Sequence, residues 1–151
     1  MTDVAGYEQY EISNVSKPGK KCRHNLKYWT DGEWLGFGCG AHSTRGGSRW
    51  SNISETGRYI ENVTSGQEVV LSKRGLSDDE WLGDALFMGL RLTEGLDLRL
   101  IEQRYGISVM EKYGAVLAPF IEKKRLLWES GRLRLTREGM LIANDIMGAF
   151  V

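Results

Sequence analysis

The stretch "LSDDEWLGDALFMGLRL", Leu76 to Leu92, constrains this chain more than any other. Ser77 and Glu80 stand at capping-box spacing, and Leu76 and Trp81 stand where a hydrophobic staple would pack, so a helix is expected to begin here. Leu86, Leu90 and Leu92 are its core stripe. The rest of the order follows from that start. "DLRLIEQRYG" predicts a second helix with Asp97 as N-cap and Gly106 as its stop, and "SVMEKYGAVLAPFIEKKRL" a third, from Ser108, that Pro119 should bend or break. "LLWESGRLRLT" alternates apolar residues on either side of Ser130-Gly131, a hairpin signal, and "TREGMLIANDIMGAFV" closes the chain as an amphipathic helix. Helix, helix, helix, hairpin, helix is the order of a winged-helix-like unit, with the charges of Lys123 to Arg125 as a solvated helix end.

The texture changes near "NVTSGQE", Asn62 to Glu68. Before it, "YEQYEIS" reads as a strand, "EWLGFGCGAHS" as a strand running into a glycine-rich loop, and "GSRWSN" as a third extended piece, with short helices between. The expected division is therefore 1–66, mostly β, and 67–151, mostly helical, an α+β chain. Gly36, Gly38 and Gly40 alternate along the expected strand and leave one face bare, so something should approach that backbone closely. A ligand, a cofactor or a neighbouring packed element each satisfies that requirement, since G-x-G-x-G without a long helix after it is weak evidence of a phosphate cradle.

Composition removes several function classes. The 20 basic and 20 acidic residues balance, with net +2 over residues 1–60 and −2 over residues 61–151, so neither half is built to hold a polyanion. The presumptive recognition segment, Ser108 to Leu117, offers Glu111 and Lys112 but no arginine cluster, which argues against nucleic acid. No apolar run approaches the roughly 20 residues of a membrane span, leaving at most peripheral membrane contact, and "MTDVAGYEQYE" is unlike a secretory signal. A cytoplasmic location follows as the expectation. The sequons at Asn14, Asn52 and Asn62 are then chance matches, and Cys22 and Cys39 are thiols rather than a disulfide.

Cys22, His24, Cys39 and His42 form the most pointed set of chemistry-bearing residues. Thiolates and imidazoles in fours suit tetrahedral zinc, but the C-x-H spacing is unlike the usual C-x-x-C knuckle. The favoured reading makes both cysteines small buried filler. His24, within "CRHNLKYW", is open to packing, capping or ligation.

"GYEQYEISNVSKPGKKCRHNLKYW", "WLGFGCGAHS", "LFMGLRLTEGLDL" and "RLRLTREGMLIAND" together resemble the C-terminal part of the oxygen-independent coproporphyrinogen III oxidase-like proteins of the radical SAM superfamily, in particular their heme chaperone branch. The resemblance covers nearly the whole chain. It implies the last strands of a truncated radical SAM (β/α) barrel followed by a winged-helix-like C-terminal domain. His24, Asn25, Tyr28 and Trp29 match the H-N-x-x-Y-W motif that the branch uses to bind heme, which implies His24 as axial ligand to the heme iron, Tyr28 and Trp29 as porphyrin-facing aromatics, and heme-accepting client proteins as partners. Arg23 and the Lys17, Lys20, Lys21 group would meet the propionates. Full-length members also use a 4Fe-4S cluster and S-adenosylmethionine. This chain lacks the C-x-x-x-C-x-x-C cluster motif, so no catalytic residue is expected in it. Cys39 stands where relatives have proline or another small residue, and Arg125 where they have the glycine that ends the helix before the hairpin. The enzyme reading, oxidative decarboxylation of coproporphyrinogen III, and a cofactor-free winged-helix interaction module are the alternatives.

Overall fold

The computed structural model describes residues 5–30 and 33–150. In chain order the elements are β1 (Glu8–Glu11), β2 (Asn14–Ser16), α1 (Arg23–Trp29), β3 (His42–Arg45), β4 (Ser48–Asn52), α2 (Thr56–Ser65) and β5 (Val70–Gly75). There follow α3 (Asp78–Gly89), β6 (Leu96–Asp97), α4 (Leu98–Tyr105), α5 (Val109–Glu122), β7 (Leu126–Glu129), β8 (Arg132–Leu135), α6 (Arg137–Leu141), α7 (Ala143–Met147) and a 3-10 turn, Gly148–Phe150. The chain divides into two compact units, Met1–Asp31 with Asp78–Val151, and Gly32–Ser77. This grouping does not follow the expected break between residues 66 and 67. Backbone hydrogen bonds from Ile12 to the Arg91 carbonyl and from Thr93 to the Tyr10 carbonyl, 3.0 and 3.1 Å, tie the first strand to the segment after α3 instead.

The larger unit has one apolar core. Leu82, Leu86, Leu90, Leu117, Leu126, Leu133, Ile146 and Met147 are fully buried in it, and Phe150 closes it with its ring edge-on to Tyr113 at 5.0 Å. Helix α3 ends earlier than its apolar stripe suggests. Arg91 to Thr93 leave the helix to pair with β1, where Leu92 bridges Glu11, so Leu92 is half-buried at the edge of the core. Helix α4 has the expected ends: the Asp97 carboxylate accepts from the Arg99 amide at 3.1 Å, and Gly106 takes a left-handed conformation at φ 68. That carboxyl is held below its usual range chiefly by the hydrogen bond from the Arg99 side chain.

Pro119 does not break α5, which runs through to Glu122. Proline has no N–H to donate to the Ala115 carbonyl, and Ala115 and Pro119 both lie on the exposed face. The helix is closed by Lys124, at φ 54, rather than at Arg125. Arg125 donates to the Phe120 carbonyl and Lys124 to that of Ile121, each at 2.9 Å, the paired bonds of a Schellman ending. The expected hairpin then forms from β7 and β8, with Trp128 facing Leu133 across it and Ser130 and Gly131 both at positive φ, as a two-residue turn of this hand requires. β6 adds to the far side of β8, giving the order β6-β8-β7.

The last segment is two short helices rather than the single one expected, with the break at Ile142, φ −121 and ψ 29. Its first part is anchored at a corner. Thr136 caps α6 by accepting from the Gly139 amide at 3.0 Å, its own hydroxyl donates to the Arg125 carbonyl at 3.2 Å, and a Cβ on Gly139 would collide with that same carbonyl. Ala143, Ile146 and Met147 are meanwhile buried in the core, and the kink at Ile142 meets both demands.

In the smaller unit β3, β4 and β5 form an antiparallel sheet in that order. Every described strand pairing in the protein is antiparallel, whereas a parallel barrel edge was expected. The Gly46-Gly47 turn between β3 and β4 leaves no room for the crossover that parallel neighbours need. The expected strand through Gly36 to Gly40 is irregular and ends in a turn, with Trp34 bridging Thr44 as its one ladder contact. Ile53 is this unit's one large buried apolar side chain among the described residues, and Ser43, Thr44 and Asn52 are buried with it. Their polar atoms are satisfied: Ser43 accepts from the Gly36 amide, Thr44 from Arg49, and Asn52 donates to the Gly38 carbonyl, at 2.9 to 3.1 Å. Helix α2, which carries no buried residue, is capped by Glu55, whose carboxylate accepts from the Gly57 and Arg58 amides.

Two substitutions test the ends of α5 and α6 in opposite directions. Gly139→Ala should destabilise the protein by about 1–3 kcal/mol, because the methyl meets backbone that cannot swing aside. Lys124→Gly should stabilise it by about 0.5–1 kcal/mol, by relieving a left-handed non-glycine residue. Urea unfolding checks both through shifts of midpoint at constant slope.

Candidate functional site

Helix α1 has seven residues, no buried side chain and no side-chain N-cap; the Cys22 backbone, at φ −69 and ψ 108, only turns the chain into it. A helix this short is not stable by itself. Its last turn is closed by the amide and the hydroxyl of Thr30, which both donate to the Leu26 carbonyl, at 2.9 and 2.8 Å. Its lead-in is held by Lys21, which donates to Glu94 at 2.6 Å. That hydrogen bond, reinforced by the ammonium charge, holds the Glu94 carboxyl below its usual range against slight burial. Lys21 is therefore engaged with a protein carboxylate, while Lys17, Lys20 and Arg23 are exposed around the helix start.

One turn apart, His24 and Tyr28 share a face, ring centres 5.1 Å apart and nearly perpendicular. His24 is exposed and Tyr28 half-buried. Asn25 and Trp29 form the neighbouring i,i+4 pair, both half-buried. The Trp29 indole lies 4.4 Å from the Arg91 guanidinium, and its N–H is buried without a hydrogen-bond partner. Trp29 also lines a cavity of about 320 Å³ with Leu92, Leu96, Leu100, Ile101 and Arg104.

Behind this stack is a pair that sequence reasoning passed over. Glu11 is fully buried and accepts from the Ser13 amide at 2.9 Å and from the Asn14 side chain at 2.5 Å. Arg91 reaches its other carboxylate oxygen at 3.4 Å and the Ser13 hydroxyl at 3.2 Å. A signal was present, because a lone arginine between two leucines in "GLRL" asks for a partner. The bulge at Tyr10, which turns Tyr10 and Glu11 both inward, defeats the alternation by which Glu11 would have been assigned to the surface.

Gly36, Gly38 and Gly40 belong to the smaller unit, where a Cβ on Gly36 would collide with the chain's own His42 carbonyl, while one on Gly40 would meet Ser54 only at ordinary contact distance. Cys22 and Cys39 are free, as expected, but exposed, which corrects the buried-filler reading: one starts a helix and the other sits in a turn, 3.5 Å from the Thr56 hydroxyl. Cys22 and His24 belong to the larger unit and Cys39 and His42 to the smaller, and among the described residues no group of three or more histidine, cysteine, aspartate or glutamate side chains comes together to hold a metal ion. What α1 presents is an accessible imidazole, flat aromatic area beside it and cations at its start. That donor set fits a heme, for which one neutral imidazole is a good axial ligand.

The family model "HemN C-terminal domain" matches residues 76–142. The heme chaperone HemW of Bacillus subtilis (strain 168) is 33% identical over 149 residues, covering 99% of this chain and 39% of the relative. The heme chaperone HemW of Mycobacterium tuberculosis (strain H37Rv) is 36% identical over 144 residues, 95% of this chain and 35% of that protein. Among solved structures, one titled "Coproporphyrinogen III oxidase (HemN) from Escherichia coli is a Radical SAM enzyme" superposes with a TM-score of 0.78, covering 98% of this chain and 38% of that one, at 18% identity. The mixed α/β fold is thus shared with that protein, and the chain spans about two fifths of the length of these relatives. On the domain match and the near end-to-end alignment of this chain with HemW proteins, the chain is similar to the C-terminal part of HemN and HemW proteins.

Proposed function

We propose that this chain is the heme-carrying C-terminal part of a HemW-type heme chaperone, which binds heme on α1 and hands it to client proteins in the cytoplasm. The observation that carries the reading is the exposed His24 imidazole held edge-on by Tyr28 on a helix whose far end is fixed at Trp29. His24 is the iron ligand in this reading, Tyr28 and Trp29 supply aromatic area for the porphyrin, and Arg23, Lys17 and Lys20 meet the propionates, with Asn25 beside the ligand. Exposure suits a chaperone, since a ligand on an open helix face can be passed on without unfolding a pocket. Within the parent protein, residues 1–66 are the remnant of the radical SAM barrel that carries the H-N-x-x-Y-W motif. Residues 67–151 are the winged-helix-like domain, for which the order α3-β6-α4-α5-β7-β8 and the sheet order β6-β8-β7 are the support. The chain takes no catalytic role by itself, because two cysteines cannot supply the three thiolates of the family's cluster motif.

Titration with hemin tests the ligand. His24→Ala should weaken binding by about tenfold or more and change the Soret band, while His42→Ala should leave both as they are. Equal titrations for wild type and His24→Ala return the chain to the cofactor-free interaction module. A second measurement addresses catalysis: incubation with iron, sulfide, reductant and S-adenosylmethionine should yield no stable four-iron cluster and no 5′-deoxyadenosine, and either product overturns the non-catalytic reading.

A further inference from the structure

We infer that Arg91 is a positioning residue for α1: braced by the buried Glu11 carboxylate, its guanidinium holds Trp29 and so orders the helix that presents His24. The inference rests on the heme reading for its purpose and goes beyond it, because Arg91 and Glu11 belong to the wall behind the helix and have no part in the proposed heme contacts.

The chemistry begins with Glu11. A carboxylate with no exposure to water needs compensating donors and a cation, and Arg91 is the cation it has, at 3.4 Å and with 20% side-chain exposure of its own. Arg91 is in turn fixed through its backbone, since its carbonyl accepts from the Ile12 amide at 3.0 Å. Held from two directions, the guanidinium offers a planar cationic surface 4.4 Å from the Trp29 ring centre, an arrangement stronger out of water than in it. Helix α1 has no cap side chain and buries no residue fully, so its order must come from tertiary contacts, of which the stack of Trp29 on Arg91 is one. Lysine keeps the charge but not the plane, so Arg91→Lys is not conservative here.

The test uses the full chain and two readouts: amide hydrogen exchange at Leu26 and Thr30, whose N–H groups donate within α1, and hemin titration. Arg91→Lys should speed exchange at both amides by about tenfold while Leu86 and Leu117 stay protected. It should also raise the hemin Kd by about tenfold with the Soret position unchanged, since the ligand is still His24. Ile146→Val, a core change that lowers stability without touching the stack, should move neither readout. Unchanged exchange at Leu26 and Thr30 in Arg91→Lys, or exchange accelerated equally by Ile146→Val, overturns the inference, as does faster exchange with an unchanged hemin Kd. If Arg91→Lys does not fold, Trp29→Leu removes the stack from the other side and leaves Glu11 paired: faster α1 exchange supports the inference and unchanged exchange overturns it. If wild type and His24→Ala bind hemin alike, the heme reading fails by itself, and the exchange comparison still decides whether Arg91 orders the helix.

Discussion

The larger unit depends on a charge placed where charge is expensive. The Glu11 carboxylate is fully buried, and the structure around it is arranged to make that tolerable: a bulged strand turns it inward, the Ser13 amide and Asn14 side chain donate to one oxygen, and Arg91 approaches the other. Removing one partner of such a pair costs about 3–5 kcal/mol, far more than the net worth of the pair itself. The interaction thus contributes definition more than stability. It specifies where the β1–β2 hairpin sits on the end of α3, and the backbone bonds of Ile12 and Thr93 follow from that placement.

The same arrangement divides the labour within the unit. The apolar core of α3, α4, α5 and the β7–β8 hairpin holds itself together by burial, with Leu82, Leu86 and Leu117 fully enclosed. Helix α1 has no share in that core and is held by polar contacts at its two ends, Lys21 on Glu94 and Trp29 on Arg91. An element tied down at its ends keeps its outer face free, and the exposed His24 is on that face.

The helices and the hairpin of residues 76–135 were legible because local signals and tertiary packing agree there: Asp97 and Gly106 bound α4, and Ser130-Gly131 turns the hairpin. Pro119 does not break its helix because a proline on an exposed helix face removes one hydrogen bond rather than the helix. The break at Ile142 was illegible because it answers to Gly139 packing on Arg125, a contact set by tertiary structure. In the first half, the glycine alternation suggested a strand, yet these glycines serve turns and a close crossing of the chain over itself at His42. The H-N-x-x-Y-W residues were singled out by resemblance, and all four lie on α1. Their support, Glu11 and Arg91, was not, since nothing local relates two residues 80 positions apart.

That separation has a consequence for how the chain is made. Residues 1–31 and 78–151 form one unit, with residues 32–77 between them. During synthesis the hairpin carrying Glu11 and the helix carrying His24 emerge before the cation and the carboxylate that complete them, Arg91 and Glu94. Contacts of such long sequence range are paid for in loop closure before they return any stabilisation. At roughly 5–20 residues per second, the ribosome therefore holds α1 without its supports for several seconds. Helix α1 is thus translated well before the residues that give it its native surroundings.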